Sequence, residues 1–274
     1  MQGAVAPKNW VFPTGTLGEL TADAHDRADM LAAETDRLKA RALDAPAVPS
    51  FRAALRGRTI SLITEVKRAS PSKGAIAAGL NAATQALAYQ AGGAAAISVL
   101  TEPKRFGGAL ADLHEVAAAV SIPALRKDFI VHPAQLYEAR AHGAAAALLI
   151  VRSLSPRELD ALMLACHDVG LDALVEVRDE NELARAIAAG ANIIGVNNRN
   201  LETLHIDTSN APRIIPAIPA TIIAVAESGI TCAADMDAPA RAGADAVLVG
   251  SIISAASDPE ASVRALAHIP RVAR

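Results

Sequence analysis

Seven polar side chains stand where a substrate could meet them: Glu65, Lys67, Lys127, Glu176, Asn197, Arg199 and Glu227. Each falls at or just after the end of a short apolar run, in ISLITEVK (60–67), PALRKDF (123–129), ALVEV (173–177), NIIGVNNR (192–199) and IIAVAES (222–228). An isolated charge in an apolar core costs several kcal/mol, so these groups belong on a rim rather than in an interior. Amines and carboxylates gathered at one rim are residue types that pass protons to and from a bound molecule. Two more clusters, Ser228-Gly229 and Gly250-Ser251, offer hydroxyls and backbone N–H groups at positions suited to a phosphate. Glycine there lets the backbone approach the phosphate oxygens closely.

The elements that must position these groups show in a repeat. AGGAAAISVL, HGAAAALLIV, AGANIIGVN and AGADAVLVG each place a Gly before an apolar run, at Gly93, Gly143, Gly190 and Gly243. Glycine supplies the left-handed conformation that stops a helix, and the run suits a strand buried on both faces. The anchors lie 50, 47 and 53 residues apart, about two βα units each. The other runs fill the gaps, giving eight strands. NAATQALAYQAG, SPRELDALMLACHDVG and DENELARAIAAG read as intervening helices, with Ser155, Pro156 and Glu158 marking a helix start. The expected fold is therefore a (β/α)8 TIM barrel over residues 51–274, with a doubly wound open sheet as the alternative. Residues 1–50 form an N-terminal helical extension packed on the barrel. Thr16 and Glu19 are expected to cap its helix, which would plug the barrel floor, pack on its side or lie as a flap near the mouth.

Composition narrows the class of function. The chain has 274 residues, 52% hydrophobic and 3% aromatic, with a net charge of −3. That balance gives no global attraction to nucleic acid or an anionic membrane, and Lys67, Arg68 and Lys73 form only a small basic cluster. The longest apolar stretch, Ala144 to Val151, is too short to span a bilayer, and MQGAVAPKNWVFP lacks a signal-peptide core. Cys166 and Cys232 read as separate reduced thiols, consistent with a cytoplasmic setting. No Walker A or Gly-x-Gly-x-x-Gly motif occurs, and the histidines, such as His25, His132 and His205, show no metal-ligand spacing. No cofactor or metal is expected, only a small phosphorylated substrate, for a monomer or weak homo-oligomer.

The motifs ITEVKRASPSKG (63–74), ISVLTEPKRFGG (97–108), ALRKDFI (124–130), LVEV (174–177), IIGVNNRNLET (193–203), VAESGI (225–230) and VLVGS (247–251) together resemble the indole-3-glycerol-phosphate synthases. The likeness runs from about Ile60 to Ser251, in order and at compatible spacing. It implies a cofactor-free, decarboxylating ring closure of 1-(2-carboxyphenylamino)-1-deoxyribulose 5-phosphate. By this resemblance Lys127 is the acid that protonates the ribulose carbonyl, and Glu176 is the second proton-transfer residue, acting at dehydration. Glu65 and Glu227 match carboxylates that hold the substrate and orient Lys127. Lys67 matches a lysine on the phosphate oxygens that also serves as an acid. Asn197 and Arg199 match polar groups around the substrate carboxylate and the catalytic carboxylates. Ser70 matches a substrate contact, and Phe106, Phe129 and Leu148 match an apolar slot for the anthranilate ring.

Three departures stand out: His132 where relatives carry an acidic residue, Ala145 where Asp is frequent, and no polar helix start after Thr231. The competing readings are a phosphoribosylanthranilate isomerase-like barrel, a non-catalytic barrel that binds a phosphate ligand, and a duplicate enzyme serving a ring-substituted substrate.

Overall fold

Eight short parallel strands close on themselves in a computed structural model that describes residues 10–77 and 79–274. They are β1 (Ser61–Val66), β2 (Ala96–Leu100), β3 (Ala124–Lys127), β4 (Ala146–Ile150), β5 (Asp172–Val177), β6 (Ile193–Asn197), β7 (Ile223–Glu227) and β8 (Ala246–Val249). Each pairs with its neighbours in sequence, and β8 closes against β1 with Ser61 opposite Ala246 and Thr64 opposite Val249. The fold is a (β/α)8 barrel. Most strands are buried along their whole length, as expected of parallel strands covered on both faces. The four repeat glycines have φ between 79° and 101°, so each leaves its helix through the left-handed region before the next strand.

The N-terminal segment travels from one end of the barrel to the other. Helix α1 (Gly15–Ala32) lies at the mouth formed by the strand C-termini, where Thr16 and Leu20 border the central cavity and Thr21 meets Ser153 in a buried hydroxyl pair at 3.0 Å. Helix α2 (Thr35–Asp44) packs on the barrel helix Pro133–Ala141. The turn α3 (Phe51–Ala54) then reaches the opposite end, where the Arg52 N–H donates to Asp172 at the start of β5 and Ser61 Oγ donates to the Ala54 carbonyl. Phe51 and Leu55 are fully buried there, worth roughly 1.5–3 kcal/mol each. The floor is thus closed by α3, whereas α1 lies at the mouth.

The expected Thr16–Glu19 capping box does not form. Thr14 is the N-cap residue, its N–H and hydroxyl donate to Glu202, and Glu19 pairs with Arg105 instead. Ser155 and Glu158 do form a reciprocal capping box, and His132 with Gln135 forms another. His132 therefore provides the helix start that an acidic residue would otherwise supply. After Thr231 the polar start comes from Asp235, whose carboxylate accepts from the Thr231 N–H and hydroxyl and from the Cys232 N–H. Among the described residues no helix is long and apolar enough to cross a membrane. Residues 1–9, which hold most of the stretch read as lacking a signal-peptide core, lie outside the described part.

Candidate active site

Side chains alternate across a strand with period two, and that alternation selects the groups that face inward. Glu65 lies near the end of β1 with Lys67 just after it, and Lys127 ends β3 with Phe129 just after it. Leu148 and Ile150 lie in the last half of β4. Glu176, Asn197 with Arg199, Glu227, and Leu248 with Gly250 continue the set around β5 to β8. These residues, with Ser70, Phe106, Ser228, Gly229 and Ser251, line one cavity of about 300 Å³. The fold thus brings every residue singled out from the sequence into one place. Arg126, one position out of phase with Lys127, turns toward the helix layer instead, while Asp128 borders the cavity with its carboxylate held by Arg27, Thr101 and Arg126. Arg126 donates to the Gln135 carbonyl at 2.7 Å and to Glu138 at 2.9 Å, and also pairs with Asp128.

Lys127 is the hub. Its Nζ lies 3.6 Å from Glu65 Oε2 and 3.6 Å from Glu227 Oε2. Burial alone would lower the pKa of this amine, but Glu65, Glu227 and Glu176 outweigh burial and raise it above the ordinary lysine range. The ammonium therefore persists at neutral pH. Glu65 also pairs with Lys67. Burial pushes the Glu65 carboxyl up, and the two lysines override it, so its pKa ends below the usual carboxylate value. Glu227 differs: burial first, then the Glu176 carboxylate, push it up to about 8 against the opposing pull of Lys127. Neither Glu227 oxygen has a hydrogen-bond partner among the described residues. Glu176 accepts from Asn197 Nδ2 at 3.0 Å, while Asn197 Oδ1 accepts from the Arg199 N–H at 2.9 Å.

On the β2–β4 side the cavity is apolar. Phe106 and Phe129 lie with ring centroids 6.3 Å apart, beside Leu148. Phe106 ends the short helix Pro103–Phe106, whose N–H groups at 104, 105 and 106 all donate to the Glu102 carboxylate. Asp128 accepts from the Phe129 N–H. Both carboxylates are held by Arg27 of α1, at 3.6 Å from Glu102 and 2.8 Å from Asp128. The extension thus braces the segments that carry Phe106 and Phe129.

On the β7–β8–β1 side the wall is largely backbone. Ser228 and Gly229 have φ of 66° and 91°, turning the chain sharply at the end of β7. A Cβ at Gly250 would collide with the Glu65 carboxylate and lie 2.8 Å from Lys67 Nζ. The Lys67 ammonium therefore rests against the Gly250-Ser251 backbone, where a phosphate would find both charge and N–H donors. Ser70 accepts from the Lys73 N–H in the loop after β1, and Lys73 also borders the cavity.

Residues 20–266 match the protein-family model described as indole-3-glycerol phosphate synthase. The chain belongs to this family. Among similar proteins, indole-3-glycerol phosphate synthase 1 of Streptomyces coelicolor is 54% identical over 83% of this chain and 85% of its own length. The indole-3-glycerol phosphate synthase of Mycolicibacterium gilvum is 52% identical over 86% and 89%. A solved structure, KGPDC from Streptococcus mutans, shares the barrel at a TM-score of 0.59 and 13% identity, covering 76% of this chain and 95% of that one.

Three features of this synthase-family site escaped the sequence reading. Gly195 is one: a Cβ there would run into the Glu227 carboxyl, and a glycine inside a strand run is the available signal for such close approach. Leu20 is another, brought in from α1. The third is Arg27, whose two partners lie 75 and 101 residues away, so no local pattern reveals it.

Proposed function

We propose that this chain converts 1-(2-carboxyphenylamino)-1-deoxyribulose 5-phosphate to indole-3-glycerol phosphate, carbon dioxide and water, with Lys127 as the acid that drives ring closure. The observation that carries this reading is a cationic amine held between two buried carboxyl groups, with an apolar ring slot on one side and a backbone cradle with Lys67 on the other. The phosphate sits against Lys67, Gly229, Gly250 and Ser251, and the anthranilate ring lies among Phe106, Phe129 and Leu148. These two anchors fold the ribulose arm back on the ring and favour the near-attack geometry.

As the ring carbon bonds to the ribulose carbonyl carbon, Lys127 gives its proton to the carbonyl oxygen. That contribution is worth about 10²–10⁴ in rate. Cleavage of the bond to the carboxylate releases carbon dioxide and restores the aromatic ring. Dehydration follows: Glu176 removes a proton from the ring methylene, and the hydroxyl leaves as water with a proton from Lys67, whose ammonium is still intact after ring closure. Glu65 stays ionised to orient both lysines. Glu227, neutral below about pH 8, offers one donor and one acceptor to the ribulose hydroxyls or bridging amine. Asn197 steers Glu176, and Arg199 and Ser70 meet the substrate's polar edge.

The test is turnover of the purified protein on the carboxyphenylamino-ribulose phosphate, followed by indole fluorescence. Indole formation is expected with no added metal or cofactor. Isomerisation of phosphoribosylanthranilate without indole formation would refute the assignment.

A further inference from the structure

Behind Glu176 lies a second, smaller cavity of about 90 Å³. It shares Ile150, Glu176, Arg199 and Leu201 with the main one, so Glu176 stands in the partition between them. At ~30 Å³ per liquid water, it has room for about three. Its far wall carries Glu182, Arg178, Arg152 and Glu202.

The reaction's own balance requires a proton supply. The substrate carboxylate is ionised at neutral pH, while the products derived from it are carbon dioxide and water. Two protons leave the enzyme's acids, one to the carbonyl oxygen and one to the departing hydroxyl, and one returns to Glu176. Each turnover therefore ends one proton short. With substrate filling the main cavity, that proton needs another route.

We infer that Glu182 and the waters of the side cavity form a relay through which Glu176 exchanges protons with solvent. A buffer acid or hydronium gives a proton to the Glu182 carboxylate. Glu176 first hands the methylene proton on to one of the two deprotonated lysines. Glu182 then passes a proton to a cavity water, that water passes one to the emptied Glu176, and Glu176 relays it to the other lysine, each N–H or O–H bond formed matching one broken. This rests on the assignment of Glu176 as a proton-transfer residue. Glu182 sits at the first turn of the helix Glu180–Ala188, its Oε2 accepting from the Arg178 N–H at 2.8 Å. Burial, then Asp179 and Glu176, push its carboxyl up to about 7, against the Arg178 N–H and the Arg152 cation. Arg185 on its own helix, with Arg199 and Glu202 across the cavity, completes the charged surroundings. A group balanced near neutrality takes up and gives back a proton with equal ease. Glu182 does not touch substrate and is a positioning residue for protons.

Glu182→Gln keeps the acceptor for the Arg178 N–H and removes the titration. Expected at saturating substrate are a kcat at least fivefold lower, a KM within twofold, and a changed pH profile between 6 and 8. Activity should return as imidazole buffer is raised, while the unsubstituted enzyme ignores buffer concentration. Glu182→Asp should recover much of the loss without imidazole. An unchanged kcat and pH profile would overturn the relay, as would a loss that neither imidazole nor Asp repairs. Independently of any variant, ¹³C-glutamate spectra of the unsubstituted protein should contain a carboxyl titrating near 7, and its absence also counts against the relay. Glu176→Gln separates the two readings: it should be inactive at every buffer concentration, and an active Glu176→Gln would sink the assignment of Glu176 itself.

Discussion

Glu65 and Glu227 flank the same ammonium at the same 3.6 Å, yet their carboxyl groups are driven in opposite directions. Both are buried, so burial does not separate them. The neighbours do. Glu65 has a second lysine, Lys67, whereas Glu227 faces Glu176 and has no hydrogen-bond donor among the described residues. Two like charges at close range resist joint ionisation, and an added cation removes that resistance. One wall of the site is thus fixed in charge, suited to holding an anion and orienting amines. Two strands along the same side, at the end of β7, Glu227 carries a proton that substrate can engage.

The comparison breaks most severely if the shared ammonium is removed. Lys127→Ala is expected to lower kcat by about 10³, within the span of general acid catalysis. Phosphate binding should survive, because the Lys67 wall stands without Lys127. Calorimetric titration with inorganic phosphate or product checks the second half. Near-normal turnover would show that Lys127 is not the acid, and lost phosphate binding would show that the walls are not independent.

Gly195→Ala tests the acidic wall by geometry alone. Its Cβ would displace the Glu227 carboxyl, and a misplacement near 1 Å can cost about 10²-fold in rate. The expected loss is of that order in kcat, with the fold retained by circular dichroism. Wild-type turnover in this variant would mean that Glu227 has slack the packing does not show.

Much of this was legible in advance, and period two explains why. Once the strands are placed, Glu65 with Lys67, Lys127 with Phe129, and Asn197 with Arg199 fall on the same face without any coordinates. The same rule sends Arg126 outward to the helix layer. The capping of α1 was not legible, because Thr14 finds its partner at Glu202, 188 residues on. Glu182 falls in the first turn of the helix Glu180–Ala188, where an acidic residue is ordinary, and only the cavity behind Glu176 singles it out.

A pH series on Glu227→Gln sharpens the contrast through stability. Glu227 binds its proton more tightly in the folded chain, about 8 against an ordinary 4.5. Its contribution to stability is therefore complete below about pH 4.5 and lost as pH rises through about 8. The Gln variant lacks that loss, so its Tm should gain on the parent's from pH 5 to pH 9. One proton sets a ceiling of ~1.4 kcal/mol per pH unit. Parallel Tm curves would place Glu227 among ordinary ionised carboxylates and dissolve the comparison with Glu65.

The smallest effect lies farthest from the ammonium. Arg27 touches neither wall, but its guanidinium joins Glu102, which caps the helix ending in Phe106, to Asp128, which fixes the Phe129 N–H. Arg27 is partly exposed but both carboxylates are buried and keep other donors, so Arg27→Ala should cost about 1–3 kcal/mol in stability. The effect on substrate should be more selective: a slot that is less firmly held weakens binding of the ring and leaves the proton donors in place. KM is expected to rise about three- to tenfold with kcat within about threefold, and Arg27→Lys should restore part of it, since a single ammonium can reach only one of the two carboxylates well. A fall in kcat with KM unchanged would instead mean that α1 acts on Lys127, and that the mouth helix belongs to the chemistry rather than to the ring slot.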